Sequence, residues 1–235
     1  EIDVKDLIEK EISRQEKEIE KADLIDKNSS KTKAQKNKDE LLKEFLVAID
    51  NFIVCRPNFK LHTIIAGYPW FLDWGRDTLI SFEGLLLKTK KFDIAREVLL
   101  TMVRDVKYGL VPNGYSGYDN RPLYNSVDAS LLLFEQVQKY IEYTKDYKSV
   151  KENIYKKLES IIDNYISGNN FDNNNIYLDK DGLIASGTDD TQNTWMDAKY
   201  NNIAVTPRNG KAVEINAMWY NANMIMANLT MKMGD

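Results

Sequence analysis

Two kinds of helical segment alternate along this chain, and the alternation restricts its fold more than any other feature. Leu42, Phe45, Ile49 and Phe52 recur at helical spacing with polar residues between them. Phe92, Ala95, Leu99, Met102 and Val106 do the same, as do Val150, Ile154, Leu158, Ile161 and Tyr165. Stripes of this width predict helices covered on one face only. Residues 79–87 and 127–134 are instead apolar almost all round, and residues 212–229 are rich in small and apolar side chains. Helices of that kind are enclosed on most sides. The order is outer then inner, three times over.

The connections carry a second regularity. Inner-to-outer links are short, at residues 88–91 and 144–148, whereas outer-to-inner links are long, at about 53–74, 107–125 and 168–211. In an array of antiparallel helix pairs the long links all emerge on one face, and loops beyond ~15 residues in a compact domain are usually functional. That face is therefore the elaborated one, and the inner helices begin there. Beta structure is minor: residues 174–187 predict two short strands around an Asp179-Lys180-Asp181-Gly182 turn.

The first 25 residues are dense in charge, and Val4, Ile8, Ile12 and Ile19 give them only a thin apolar stripe. They predict a mostly solvated helix, a linker that packs on something outside the chain. Residues 28–38 read as a polar breaker. The expected organisation is a charged linker helix and breaker over 1–33 and a helical body over 34–235. A start at Glu1 and a stop at Gly234-Asp235 read as a piece of something longer.

The chain has 235 residues, of which 43% are hydrophobic, enough for a real core. Net charge is −4 with acids and bases intermixed, so no basic stripe favours nucleic acid as a partner. Cys55 is the one cysteine and His62 the one histidine. They provide neither an internal disulfide nor a zinc cluster nor a nucleophile-base pair, and neither metal nor cofactor is expected. With no apolar run of membrane-spanning length, no signal peptide and no phosphate-binding glycine pattern, a cytoplasmic location away from membranes is expected.

The four tryptophans fall at the elaborated face or just inside it: Trp70 and Trp74 in the first long loop, Trp195 in the third, Trp219 one turn into the last inner helix. Asp73, Arg76 and Asp77 open the first inner helix, Asp128 opens the second, and Asp197, Arg208 and Glu214 precede or open the third. Asp77 or Asp128 taken alone reads equally well as a helix cap. Together, carboxylates and indoles around one mouth describe a pocket for a neutral, polyhydroxylated ligand. Residues 179–182 resemble the start of a calcium loop but lack its closing glutamate, so a hairpin turn is expected. Residues 169–175 read as a solvated turn.

The stretches "AGYPWFLDWGRDTLIS", "GLVPN", "YNSVDASLLLF", "TWMDA" and "VTPRNGKAVEINAMWYNA" occur in that order between residues 66 and 222. Together they resemble the glucosidase domain of glycogen debranching enzymes, amylo-alpha-1,6-glucosidases that are all-α with an (α/α)6 toroid and are distantly similar to glucoamylases. The resemblance implies inverting hydrolysis of α-1,6-linked glucosyl branches of glycogen or limit dextrin. It makes Asp197 the general acid, with Trp195 excluding solvent beside it. Arg76 and Asp77 match the pair that holds the hydroxyls of the terminal glucose, and Asp73, Trp74, Asp128 and Glu214 are further lining. The family's base lies on a later inner helix, past residue 235. Three of six helix pairs make half a ring, which implies an inactive fragment whose open edge is completed by more chain or by self-association. A phosphorolytic toroid enzyme and a non-catalytic glycan-binding module are the alternatives.

Overall fold

The computed structural model describes residues 3–25, 30–117 and 119–233. It is mostly helical. Among the described residues the α-helices are α1 (Val4–Ala22), α2 (Lys33–Ile49), α3 (Gly75–Phe82), α4 (Phe92–Arg104), α5 (Asp128–Thr144), α6 (Tyr147–Asn153), α7 (Tyr155–Ser167) and α8 (Val213–Met233). The inner helices α3, α5 and α8 pack side by side in that order, with α4 and α7 behind them. This is the arrangement of part of an all-α toroid. The core joins Leu79, Phe82 and Leu86 of the first inner segment to Leu133, Phe134 and Val137 of the second, with Leu99 and Leu158 from the outer row.

Local departures from expectation have local causes. The helix expected over 79–87 changes winding: α3 ends at Phe82 and residues Glu83–Leu87 form a π turn. There the Glu83 carboxylate accepts from Tyr143 and Lys139 of α5. The third outer stripe is buried at all five positions, but the helix breaks at Ile154, whose φ is −116°. In the first outer helix the buried residue is Leu46, outside the expected stripe, and Phe45 stays 59% exposed. The polar breaker also runs too long. Thr32 and Gln35 close a reciprocal capping box, so α2 starts inside it, at Lys33; residues 28 and 29 lie outside the described residues. The charged first helix packs in part on this same chain, with Val4, Ile8 and Ile12 left exposed. It lies against α2, and Lys91, itself buried, pairs with both Glu18 and Asp50. The last inner helix is not enclosed: Val213, Tyr220 and Met231 of α8 are exposed.

Each long link carries antiparallel two-stranded hairpins. The first holds β1 (Ile53–Arg56) and β2 (Leu61–Ile64), the second β3 (Gly114–Tyr115) and β4 (Pro122–Leu123). The third holds β5 (Tyr177–Leu178) with β6 (Ile184–Ala185), then β7 (Lys199–Tyr200) with β8 (Ile203–Ala204). The β5–β6 pair is the expected one. Its turn places Gly182 at φ +82°, and Lys211 bridges Asp179 and Asp181, each at 2.7 Å. The other three hairpins are additional to the sequence expectation.

The start of α3 is set by a close approach between loops. Gly75 donates its N–H to the Asn113 carbonyl at 2.7 Å, and Trp74 bridges to Gly114. A Cβ on Gly75 would stand 2.5 Å from the Pro112 carbonyl oxygen, a backbone atom that cannot swing aside. Gly75→Ala is therefore expected to destabilise the fold by about 1–3 kcal/mol, read as a lowered urea midpoint. An unchanged midpoint would show that the two loops yield easily.

Candidate active site

Arg76, in the first turn of α3, is the hub of the elaborated face. Its guanidinium is buried and grips Asp128 with a fork, Nε to Oδ2 at 2.6 Å and Nη2 to Oδ1 at 3.0 Å. Nη2 also donates to the Thr194 carbonyl at 2.8 Å, and Nη1 donates to Asp197 Oδ2 at 2.8 Å. Segments far apart in the chain thus meet on one side chain. Burial by itself disfavours the cation. The hydrogen bonds and charges of Asp128 and Asp197 outweigh it and hold Arg76 above its ordinary pKa. Asp128 does not cap its helix. Ser126 does that, accepting from the Ala129 N–H at 3.1 Å while its hydroxyl donates to Asp128 Oδ1 at 2.5 Å.

A second arginine works one layer further out. Arg208 pairs with both carboxylate oxygens of Glu214, at 2.8 Å on Oε2, and donates to the Thr194 hydroxyl at 3.2 Å. Thr194 therefore receives Arg76 on its carbonyl and Arg208 on its hydroxyl. The Arg208 hydrogen bonds lower the pKa of Glu214 against a smaller opposing effect of burial. The Trp195 ring lies over the Arg208 guanidinium, 5.7 Å from its centroid, and is 57% exposed. Asp197 keeps 37% of its side chain exposed, so no indole seals it from water.

A cleft of about 550 Å³ opens beside this network, lined by Ala66, Phe71, Trp74, Asp77, Asn125, Gln192 and Asp197. The structure thus brings Trp74, Asp77 and Asp197 to one cavity, with Arg76 and Asp128 behind it. Asp77 is exposed to the cleft, and no side chain caps α3. Four residues expected at the mouth or just inside it are placed differently. Asp73 is buried and faces Arg56 of β1, which binds both its oxygens, at 2.7 Å on Oδ2. Glu214 is engaged by Arg208. Trp219 is buried and stacks on Tyr165 at 6.0 Å, a core contact. Trp70 points outward, 86% exposed.

Asn125, Gln192, Phe71 and the bracing Arg56 were not foreseen. Phe71 and Asn125 lie two and three residues before Asp73 and Asp128, inside the quoted stretches, and Gln192 lies five before Asp197; Arg56 has no such signal. Among the described residues no group of three His, Cys, Asp or Glu side chains could hold a metal ion, and no helix is long and apolar enough to cross a membrane.

The chain is thus an all-α array whose inner helices open on a polar cleft walled by carboxylates and aromatic rings. A model of the family described as Amylo-alpha-1,6-glucosidase matches residues 47–235, and the chain belongs to that family. It is also similar to a protein named glycogen debranching enzyme from Saccharomyces cerevisiae. The two are 29% identical over an alignment of 218 residues that takes in 69% of this chain. The chain spans 14% of that relative's length.

Two stability outcomes follow from the ion pairs. Arg76→Leu leaves Asp128 buried without its counter-charge, and a loss of about 3–5 kcal/mol is expected in urea unfolding. A loss below about 1 kcal/mol would mean that the fork is dispensable. For Glu214, the lowered folded pKa gives a stabilisation present above the ordinary value of 4.5 and lost as pH falls through the folded value. Wild type should therefore exceed Glu214→Gln in stability at neutral pH, and the gap should close as pH falls below 4.5 and through the lowered folded value. A gap independent of pH would contradict the assignment.

Proposed function

We propose that the cleft is a glycosidase site for α-1,6-linked glucosyl branches of a glycogen-like glucan. Membership of the amylo-alpha-1,6-glucosidase family supports a glycosidase-like function. The observation that carries the finer reading is the convergence of Trp74, Asp77 and Asp197 on one cavity beside the buried Arg76–Asp128 fork. An indole face and carboxylate oxygens suit the apolar face and the hydroxyls of a pyranose.

In this proposal Asp197 is the general acid, and Arg76 sets its position through Oδ2. Asp77 accepts from sugar hydroxyls, and Trp74 forms a wall. Asp73, Asp128 and Glu214 act from behind, as counter-charges for Arg56, Arg76 and Arg208. Inversion needs a second carboxylate to activate water on the opposite side. In this reading the base follows residue 235, on a helix that would pack against the uncovered face of α8. A second copy of the chain is the other candidate for that face.

One observation favours a non-catalytic glycan-binding module: the ion pair between Arg76 and Asp197, which holds the expected acid against a cation. The two readings separate on one substitution. In a polypeptide extended through the remainder of the domain, Asp197→Asn should lower glucose release from a branched limit dextrin by about 10²–10⁴-fold with dextrin affinity retained. Residues 1–235 alone should release little glucose. Undiminished release by the Asp197→Asn variant, or none from the extended wild type, rules out the catalytic reading.

A further inference from the structure

A second cavity, of about 620 Å³, adjoins the cleft and shares Asn125 and Gln192 with it. Its walls come from the turns on either side of β5 and β6 and from the β7–β8 hairpin, through residues such as Asn170, Asn173 and Asn202. The chemistry of the lining is unusually uniform. Ten of its thirteen residues are Asn, Gln or Thr, the rest are two aspartates and a lysine, and none is aromatic or aliphatic.

Turn geometry explains only part of this. Asn173 and Asn202 have φ of 60° and 62°, in the left-handed region where asparagine is tolerated, so they could be there for the backbone alone. Asn125 and Gln192 are outside the left-handed set, and both stand where the two cavities join. Nor is the amide chemistry used up internally. Asn174 and Asn193 build the floor, through donations to the Tyr124 and Asn174 carbonyls at 2.7 and 3.2 Å. The side-chain amides of Asn125, Asn173, Gln192 and Asn202 have no partner among the described residues. The Asn174 carboxamide oxygen is buried beneath them without a donor.

A wall of amides offers donor and acceptor side by side, the pattern that vicinal hydroxyls match. It has no aromatic or aliphatic side chain on which a lipid or a base could pack. The two aspartates and the lysine leave it no net positive charge for a phosphate. We infer that this groove is a continuation of the cleft that holds a linear α-1,4-glucan, the chain from which a branch is removed. The inference rests on the glycan reading of the cleft and adds to it where the remainder of the substrate lies. Recognition of this chain would be by amide hydrogen bonds rather than by stacking, so it would tolerate different lengths and depend little on salt.

The test uses residues 1–235 and two probes, maltoheptaose for the groove and isomaltose for the cleft, each titrated by calorimetry. Asn173 and Asn202 are exposed, their amides are unpartnered and their φ angles positive, so Asn173→Gly with Asn202→Gly should leave the fold intact, as circular dichroism would show. The double variant should lose about tenfold in maltoheptaose affinity, the worth of one or two hydrogen bonds, and keep its isomaltose affinity. If isomaltose binds but the maltoheptaose affinity is unchanged, the groove inference fails and the cleft reading survives. If both affinities fall alike, the groove is not a separate extension and the inference also fails. If wild type binds neither sugar, the cleft reading fails and takes the groove with it.

Discussion

The fork between Arg76 and Asp128 is the contact on which the elaborated face depends. A buried guanidinium and a buried carboxylate each lose hydration that only close, well-directed partners can replace. Asp128 obtains those partners from Arg76 and Ser126, and Arg76 obtains its own from Asp128, Asp197 and the Thr194 carbonyl. The geometry is demanding, so it fixes α3, α5 and the loop before α8 against one another. Gly75 makes this possible one residue earlier by letting the second long loop approach the helix start. Lysine could not substitute, because a point charge cannot serve two oxygens and a carbonyl in one plane.

The face divides its carboxylates by work. Asp73, Asp128 and Glu214 each face an arginine and are braces. Asp77 opens on the cleft, and Asp197 stands between the two groups, with one oxygen on Arg76 and a place in the cleft wall. Rigid charged struts behind a few accessible polar groups form a pre-organised site, since the braces hold the accessible groups without competing for the ligand. The same division explains the two cavities. The first has aromatic surface beside its carboxylates, and the second, next to it, has no aromatic side chain and is lined mostly by amides.

Much of the scaffold was legible along the chain because helix periodicity is a local property. Inner and outer segments, short and long links and the β5–β6 turn all have signals within a few residues of themselves. The misread pieces have equally physical reasons. The Thr32–Gln35 capping box lay hidden in a polar run, the Ile154 break interrupts a continuous stripe, and the β1–β2 hairpin was taken for plain loop.

Sequence alone determined which segments form the inner and outer rows and the end of the array at which the charged residues gather, since both follow from spacing between near neighbours. Only the tertiary structure decided which carboxylate is a brace and which is open to a ligand. Arg76 meets Asp128 across 52 positions and Asp197 across 121, while Arg56 reaches Asp73 from a separate hairpin. Partners at such separations leave no periodic trace, because which charge faces which is settled by packing of the helices and loops that carry them.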